Sequence, residues 1–145
     1  MRDGLPRNQA LVLAALRAEP GRVLTAYELL ARLGPAGVRG PQTVYRALEG
    51  LRTSGLIHRV ESLNAYTACA HVHAHGDAGE GHDHAPHRPA FAVCRNCGAV
   101  RELDDPALAA VLGVVADRSG FAVQDRVIEL IGTCPACREA AGRAE

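Results

Sequence analysis

No tryptophan and no lysine occur among the 145 residues, methionine occurs once, and aromatic side chains make up 3% of the chain. A core without large rings draws its stability from Leu, Val and Ala. A chain of this length forms one large domain or two small ones, and small cores are only marginally stable without help. All sixteen basic residues are Arg, a bias to which no function is attached. No apolar run approaches the length that spans a bilayer. Ala10 to Leu16 is apolar and follows Arg2 and Arg7, but it ends at Arg17 and Glu19 without a small-residue cleavage signal, so it reads as a helix and not as a secretory leader. The signatures of an enzyme are also missing. There is no phosphate loop and no nucleophile elbow, and no His is followed two residues later by Glu, as a zinc deaminase requires. These absences predict a soluble, cytoplasmic, non-catalytic protein with no membrane partner and no small organic substrate.

Cysteine is what the chain does have. Four of its five cysteines fall in two Cys-x-x-Cys pairs, Cys94/Cys97 and Cys134/Cys137. Four thiolates so spaced can enclose one Zn²⁺ in a tetrahedron with no open position, which closes a fold and does not run a reaction. A redox dithiol or a disulfide are the alternatives; the first needs a neighbouring βαβ unit, the second an oxidising compartment. Gly98, directly after the second thiolate, suits a metal knuckle because the backbone turning in towards the sulfurs needs a residue tolerant of positive φ. A structural zinc would supply the stability that a small core lacks.

The formal net charge of zero hides a division. Residues 1–60 carry nine Arg against Asp3, Glu19, Glu28 and Glu49, a balance of +5, whereas residues 61–145 carry seven Arg against twelve acids, a balance of −5. A basic half facing a polyanion, joined to an acidic half that does not, fits a nucleic-acid-binding module with a second domain. Mutual attraction of the two halves is the other explanation.

Apolar spacing predicts a first helix over about Asn8 to Ala18, burying Leu11, Val12, Ala15 and Leu16, that stops before Pro20-Gly21. Thr25-Ala26-Tyr27-Glu28 is a capping box for a second helix with Leu29, Leu30 and Leu33 inward, ended by Gly34-Pro35-Ala36-Gly37. Pro41 suits the first turn of a third helix, whose Val44, Leu48 and Leu51 face inward while Gln42, Arg46, Glu49 and Thr53 share the opposite side with Tyr45 at its edge. Such a face is either solvated surface or a reader of the DNA major groove, where Arg can bond guanine in a bidentate way. The sequence from Leu56 to Glu61, a two-residue turn at Leu63-Asn64, and Ala65 to Cys69 then form a hairpin. Three short helices followed by a β-wing make a winged helix-turn-helix, and the two-residue turn would set His58 directly across from Cys69.

Six of the seven His fall between His71 and His87, among Gly, Ala, Asp and Pro, with no periodic apolar pattern. The organisation expected is therefore a winged-helix domain over 1–69, a His-rich hinge over 70–90 and a second domain over 91–145. In that second domain, short strands at Phe91–Val93 and Ala99–Glu102 flank the first cysteine pair. A helix over Pro106 to about Ser119 turns Leu108, Val111, Leu112 and Val115 inward, and a strand runs from Phe121 to Ile131. The whole is an α+β protein whose small second unit gains by pairing its edge strand with a twin.

Thr43 to Leu48, Gly55 to Ser62, the strand end Tyr66 to Cys69, and Cys94-x-x-Cys97-Gly98 together resemble the Fur superfamily of metalloregulators, and most closely its zinc-uptake-regulator branch. The resemblance runs from about residue 8 to Cys137. It implies an N-terminal winged helix-turn-helix and a small C-terminal α/β dimerisation domain closed by a four-cysteine zinc site, held by Cys94, Cys97, Cys134 and Cys137. It also implies a second, exchangeable sensing zinc on His58, Cys69, His87 and Glu102, hence two Zn²⁺ per subunit, and a homodimer repressing from an inverted-repeat operator in double-stranded DNA, with zinc uptake genes as targets. Tyr45 and Arg46 match recognition-helix positions and Tyr27 a further DNA-contacting position, with Gln42 and Thr43 beside them. A soft thiolate at Cys69 suits zinc better than iron or manganese. The chain departs from the pattern at a third metal site: His71 and His73 could begin it, but Asp125 and Ala109 stand where a histidine and a carboxylate are usual. His75, His82 and His84 extend the hinge beyond the family's core. Two other readings remain, the same fold sensing another metal or peroxide, and a His-rich zinc buffer or chaperone.

Overall fold

The computed structural model describes residues 4–70 and 89–143. Three helices come first, α1 (Arg7–Arg17), α2 (Ala26–Leu33) and α3 (Pro41–Thr53), followed by a hairpin of β1 (Ile57–Val60) and β2 (Ala65–Ala68). Then come β3 (Ala90–Cys94), β4 (Val100–Leu103), α4 (Pro106–Ser119), β5 (Glu129–Gly132) and α5 (Pro135–Arg143). The expected α+β architecture is present, with a winged helix-turn-helix ahead of a small three-stranded sheet.

The helices start and stop where local chemistry says they should. Thr25 accepts from the Glu28 amide at 3.2 Å and Glu28 accepts from the Thr25 amide at 2.7 Å, closing the capping box. Gly37, at φ 90°, ends the turn after α2, and Pro41 opens α3. Val12, Leu13 and Leu16 of α1, Leu29 and Leu33 of α2, and Val44, Ala47, Leu48 and Leu51 of α3 bury together with Ile57 and Tyr66 of the hairpin. Leu13 and Ala47 of these helices, and Leu24, Ala26 and Val38 of the same cluster, are members that the apolar spacing did not single out. Leu48 sits fully buried in this cluster, so Leu48→Ala is expected to destabilise the protein by about 2–5 kcal/mol through lost burial plus a residual cavity, read from urea unfolding.

A second, smaller cluster joins the hairpin to the sheet: Val60 of β1 packs with Phe91 and Val93 of β3 and Val100 of β4. The sheet order is β4-β3-β5, with β3 antiparallel to β4 and parallel to β5. The Val100 amide donates to the Gly21 carbonyl at 3.0 Å, tying the α1–α2 connection to β4.

Three expectations need correction. The hairpin loop is four residues long, a 3-10 turn at Glu61–Leu63 and then Asn64 at φ 46°, so His58 pairs with Thr67 and not with Cys69. Among the described residues nothing covers the apolar stripe of α4, where Val111 and Val115 are 59% and 56% exposed. The strand expected over Phe121 to Ile131 is confined to Glu129–Gly132. The strand is short because β3 offers β5 one free edge only along Phe91–Cys94, its other edge being taken by β4, so residues 121–128 find no strand partner among the described residues. The terminal helix α5, opened by Pro135, had not been anticipated.

Candidate metal centres and a candidate nucleic-acid interface

β3 ends in Cys94, and the chain reverses there by Cys94 N–H donating to Ala99 O at 2.9 Å and Gly98 N–H to Cys94 O at 3.1 Å, with Gly98 at φ 74°. The Arg95 amide donates to the Gly132 carbonyl at 2.8 Å, which brings the end of β5 level with the turn and sets Cys134 beside it. One ligand atom from each of Cys94, Cys97, Cys134 and Cys137 lies within 4.8 Å of the others. The Cys97 and Cys134 sulfurs are 3.7 Å apart, against an edge of about 3.8 Å for a tetrahedron with Zn–S near 2.3 Å. The Cys134 amide donates to the Cys94 sulfur at 3.3 Å, and the Cys137 amide to the Cys134 sulfur at 3.4 Å. The amide of Cys134, then those of Cys97 and Asn96, pull the Cys94 thiol down to about 6 against the burial that raises it. Hydrogen bonding to Cys134 and then Cys97 pushes the Cys137 thiol up to about 12. Crowded thiolates make the last one hold its proton, and a divalent cation removes that conflict. The donor set fits a structural zinc.

The second group joins three elements. His58 stands on β1, Cys69 directly after β2, and Glu102 on β4, with one ligand atom from each within 4.8 Å of the others. Glu102 Oε1 lies 3.9 Å from the Cys69 sulfur and 3.9 Å from His58 Nε2. Its Oε2 accepts from the Ala70 amide at 3.0 Å. The His58 and Glu102 side chains are only 11% and 7% exposed, and the Phe91 ring lies 6.0 Å from the imidazole. Imidazole nitrogen, thiol sulfur and carboxylate oxygen converging in a water-poor corner are a zinc donor set, needing a contraction of about half an ångström to reach tetrahedral spacing. The altered hairpin register leaves this convergence intact. A shift of two residues keeps every side chain on its face, so His58 and Cys69 remain diagonal neighbours across the ladder. His87, the remaining expected ligand, and His71 and His73 lie outside the described residues. The Phe91 wall and the Ala70 amide were missed in the sequence, although strand alternation held a signal: Phe91 pairs directly with Glu102 and so shares its face.

On α3, Gln42, Tyr45, Arg46 and Glu49 are exposed together, and Tyr27 is exposed in the first turn of α2. Thr43 is half-buried and its hydroxyl donates to the Arg39 carbonyl at 3.0 Å, which ties it to the turn before the helix.

Comparison with known proteins agrees with this geometry. The Ferric uptake regulator family matches residues 4–131. The Zinc uptake regulation protein of Escherichia coli is 36% identical over 132 residues, 90% of this chain and 71% of the relative. The protein of the same name from Mycobacterium tuberculosis is 32% identical over 102 residues, 68% of this chain and 67% of the relative. A solved zinc uptake regulator complexed with zinc and DNA superposes with a TM-score of 0.81 at 31% identity, covering 96% of this chain and 86% of that one. A holo XcZur structure gives 0.75 at 32% identity, covering 93% and 86%. The chain belongs to the Ferric uptake regulator family.

Proposed function

We propose that this chain is a zinc-responsive DNA-binding repressor, binding an inverted-repeat operator as a homodimer when its sensing site is filled, with zinc uptake genes as its targets. The observation that carries this is the placing of His58 and Cys69 on the hairpin and Glu102 on the sheet, so that one ion would have ligands on both bodies. A bound zinc would supply a single positive centre for these donors, with His87 as the fourth ligand on the strength of the sequence resemblance. Sharing one ion, His58 and Cys69 would hold the hairpin against Glu102, and because α3 packs on β1, with Leu48, Leu51 and Ile57 in one cluster, the helix would be held with it. In a dimer the two α3 helices are then held about 34 Å apart, one turn of DNA, instead of sampling many separations. By linkage, DNA tightens zinc by the factor that zinc tightens DNA.

On this reading residues 1–69 read DNA, 70–90 serve as a hinge and 91–145 pair with a second copy. Phe121, 78% exposed, heads a run of uncovered apolar side chains including Val123, Val127, Leu130 and Ile131, next to the bare stripe of α4. A patch of this kind favours a symmetric partner. No helix is long and apolar enough to cross a membrane among the described residues. The Cys69 thiolate favours zinc over harder ions.

Fluorescence anisotropy tests the proposal directly. An inverted-repeat duplex selected by the zinc-loaded protein should bind tightly with zinc and weakly with chelator. Equal affinity in both would contradict a sensor, and a selection that yields no binding duplex would favour a zinc buffer. On the same duplex Arg46→Ala should cost about 1–3 kcal/mol at one base step. Equal losses on operator and random DNA would make Arg46 a phosphate contact instead.

A further inference from the structure

Glu102 has a counterpart across the sheet. Phe91 on the central strand pairs with Glu102 of β4 on one edge and with Glu129 of β5 on the other. Residues level with one another on adjacent strands point to the same face, so Glu102, Phe91 and Glu129 form a row on one side of the sheet. The β1–β2 hairpin meets that row at three points. At one end the Ala70 amide donates to Glu102 Oε2 at 3.0 Å. In the middle Val60 packs in the cluster that contains Phe91. At the other end Glu129 Oε1 accepts from the Glu61 amide at 2.6 Å and the Ser62 amide at 3.3 Å, and Glu129 Oε2 accepts from the Ser62 amide at 3.1 Å. These amides open the 3-10 turn at Glu61–Leu63, where the first N–H groups have no partner within the turn itself. A carboxylate there makes a charge-assisted bond, stronger than an amide or hydroxyl would make. The carboxylate of Glu61 is turned away to Arg59 at 3.1 Å, so it does not compete for its own turn.

We infer that Glu129 is a positioning residue for the sensing site: its carboxylate ties the hairpin turn to β5 through bonds that involve no ion, and so favours, among the arrangements sampled before zinc arrives, those in which His58 and Cys69 stand over Glu102. The inference rests on the zinc-sensing function proposed above. A hairpin tied only at its Ala70 end pivots more freely than one tied at both ends, so the second presents its ligands over a narrower range of separations. Ligands partly ordered in advance spare the ion part of the cost of ordering them. Glu129 acts through the backbone of residues 61 and 62, whose amides donate to it.

The test uses the full chain with its cysteine-bound zinc in place and the exchangeable zinc removed, comparing wild type with Glu129→Ala and Glu129→Gln. Amide hydrogen exchange at residues 61 and 62 reads the clamp, and competition with a chromogenic chelator reads zinc affinity. Glu129→Ala should exchange faster at both amides and bind the exchangeable zinc about tenfold more weakly, in the range seen for groups that orient metal ligands. Glu129→Gln keeps one acceptor oxygen and should fall between. Zinc retained by the cysteines should be unchanged, whereas a merely destabilised protein would lose that ion as well. Unaltered exchange at 61 and 62, or faster exchange with unaltered zinc affinity, overturns the inference. Should the Ala variant fail to fold, the Gln variant carries the same comparison. If wild type itself takes up no exchangeable zinc, the sensing proposal is what fails, and the exchange data still decide whether the clamp exists.

Discussion

Cys134→Ser is expected to leave the second half of the chain without a stable fold. Among the described residues the β4-β3-β5 sheet shares a cluster of four buried apolar side chains, one of them Val60 from the hairpin. Among them too, the apolar faces of α4 and β5 stay exposed. Against that small core, binding of a structural zinc to four thiolates is worth roughly 10–16 kcal/mol at neutral pH, as large as the whole stability of an ordinary domain, about 5–15 kcal/mol. A serine hydroxyl keeps its proton at neutral pH and is a poor zinc ligand, so three sulfurs remain and the knuckle between β3 and β5 opens. The variant should purify with less zinc and sediment as a monomer where wild type sediments as the proposed dimer. It should melt without a cooperative transition from the sheet, while α1–α3, with their own core, keep helical circular dichroism. A dimeric variant melting as wild type would show that the sheet stands without its metal.

Cys69→Ser should do the opposite, keeping the fold and removing the response. Cys69 lies one residue past β2, and its amide donates to the Leu56 carbonyl at 2.9 Å, a bond that serine retains. What is lost is the one soft, ionisable ligand of the His58, Cys69, Glu102 group. Thermal stability should stay within about 1 kcal/mol of wild type, as for a near-isosteric change that leaves the backbone bonds in place. In a gel-shift titration, zinc should no longer tighten operator binding. Operator affinity that still rises with zinc as in wild type would place the sensing ion elsewhere.

The helical half could be read from the sequence because its signals are local. Thr25 and Glu28 lie three residues apart and cap each other, and Val44, Leu48 and Leu51 recur at helical spacing and meet in the core. The four-cysteine group was legible for a different reason: thiolates have few other uses at that spacing. Register was harder. A four-residue loop with a 3-10 turn leaves almost the same residue pattern as a two-residue turn, and only the left-handed Asn64 hints at the difference. The stripe of α4 announced burial, but helical spacing does not say against what, and among the described residues nothing covers Val111 and Val115. Glu129 could not have been found at all. It binds a turn 68 residues earlier, through backbone amides that carry no side-chain signature.

The central claim is that an exchangeable ion is held by ligands from both hairpin and sheet, and zinc X-ray absorption before and after chelator treatment tests it most directly. The ion retained should show four sulfur neighbours. The ion removed should show one sulfur with nitrogen and oxygen making up the rest, and that sulfur should vanish in Cys69→Ser. An exchangeable ion bound by nitrogen and oxygen alone, with the same spectrum in both proteins, would contradict it.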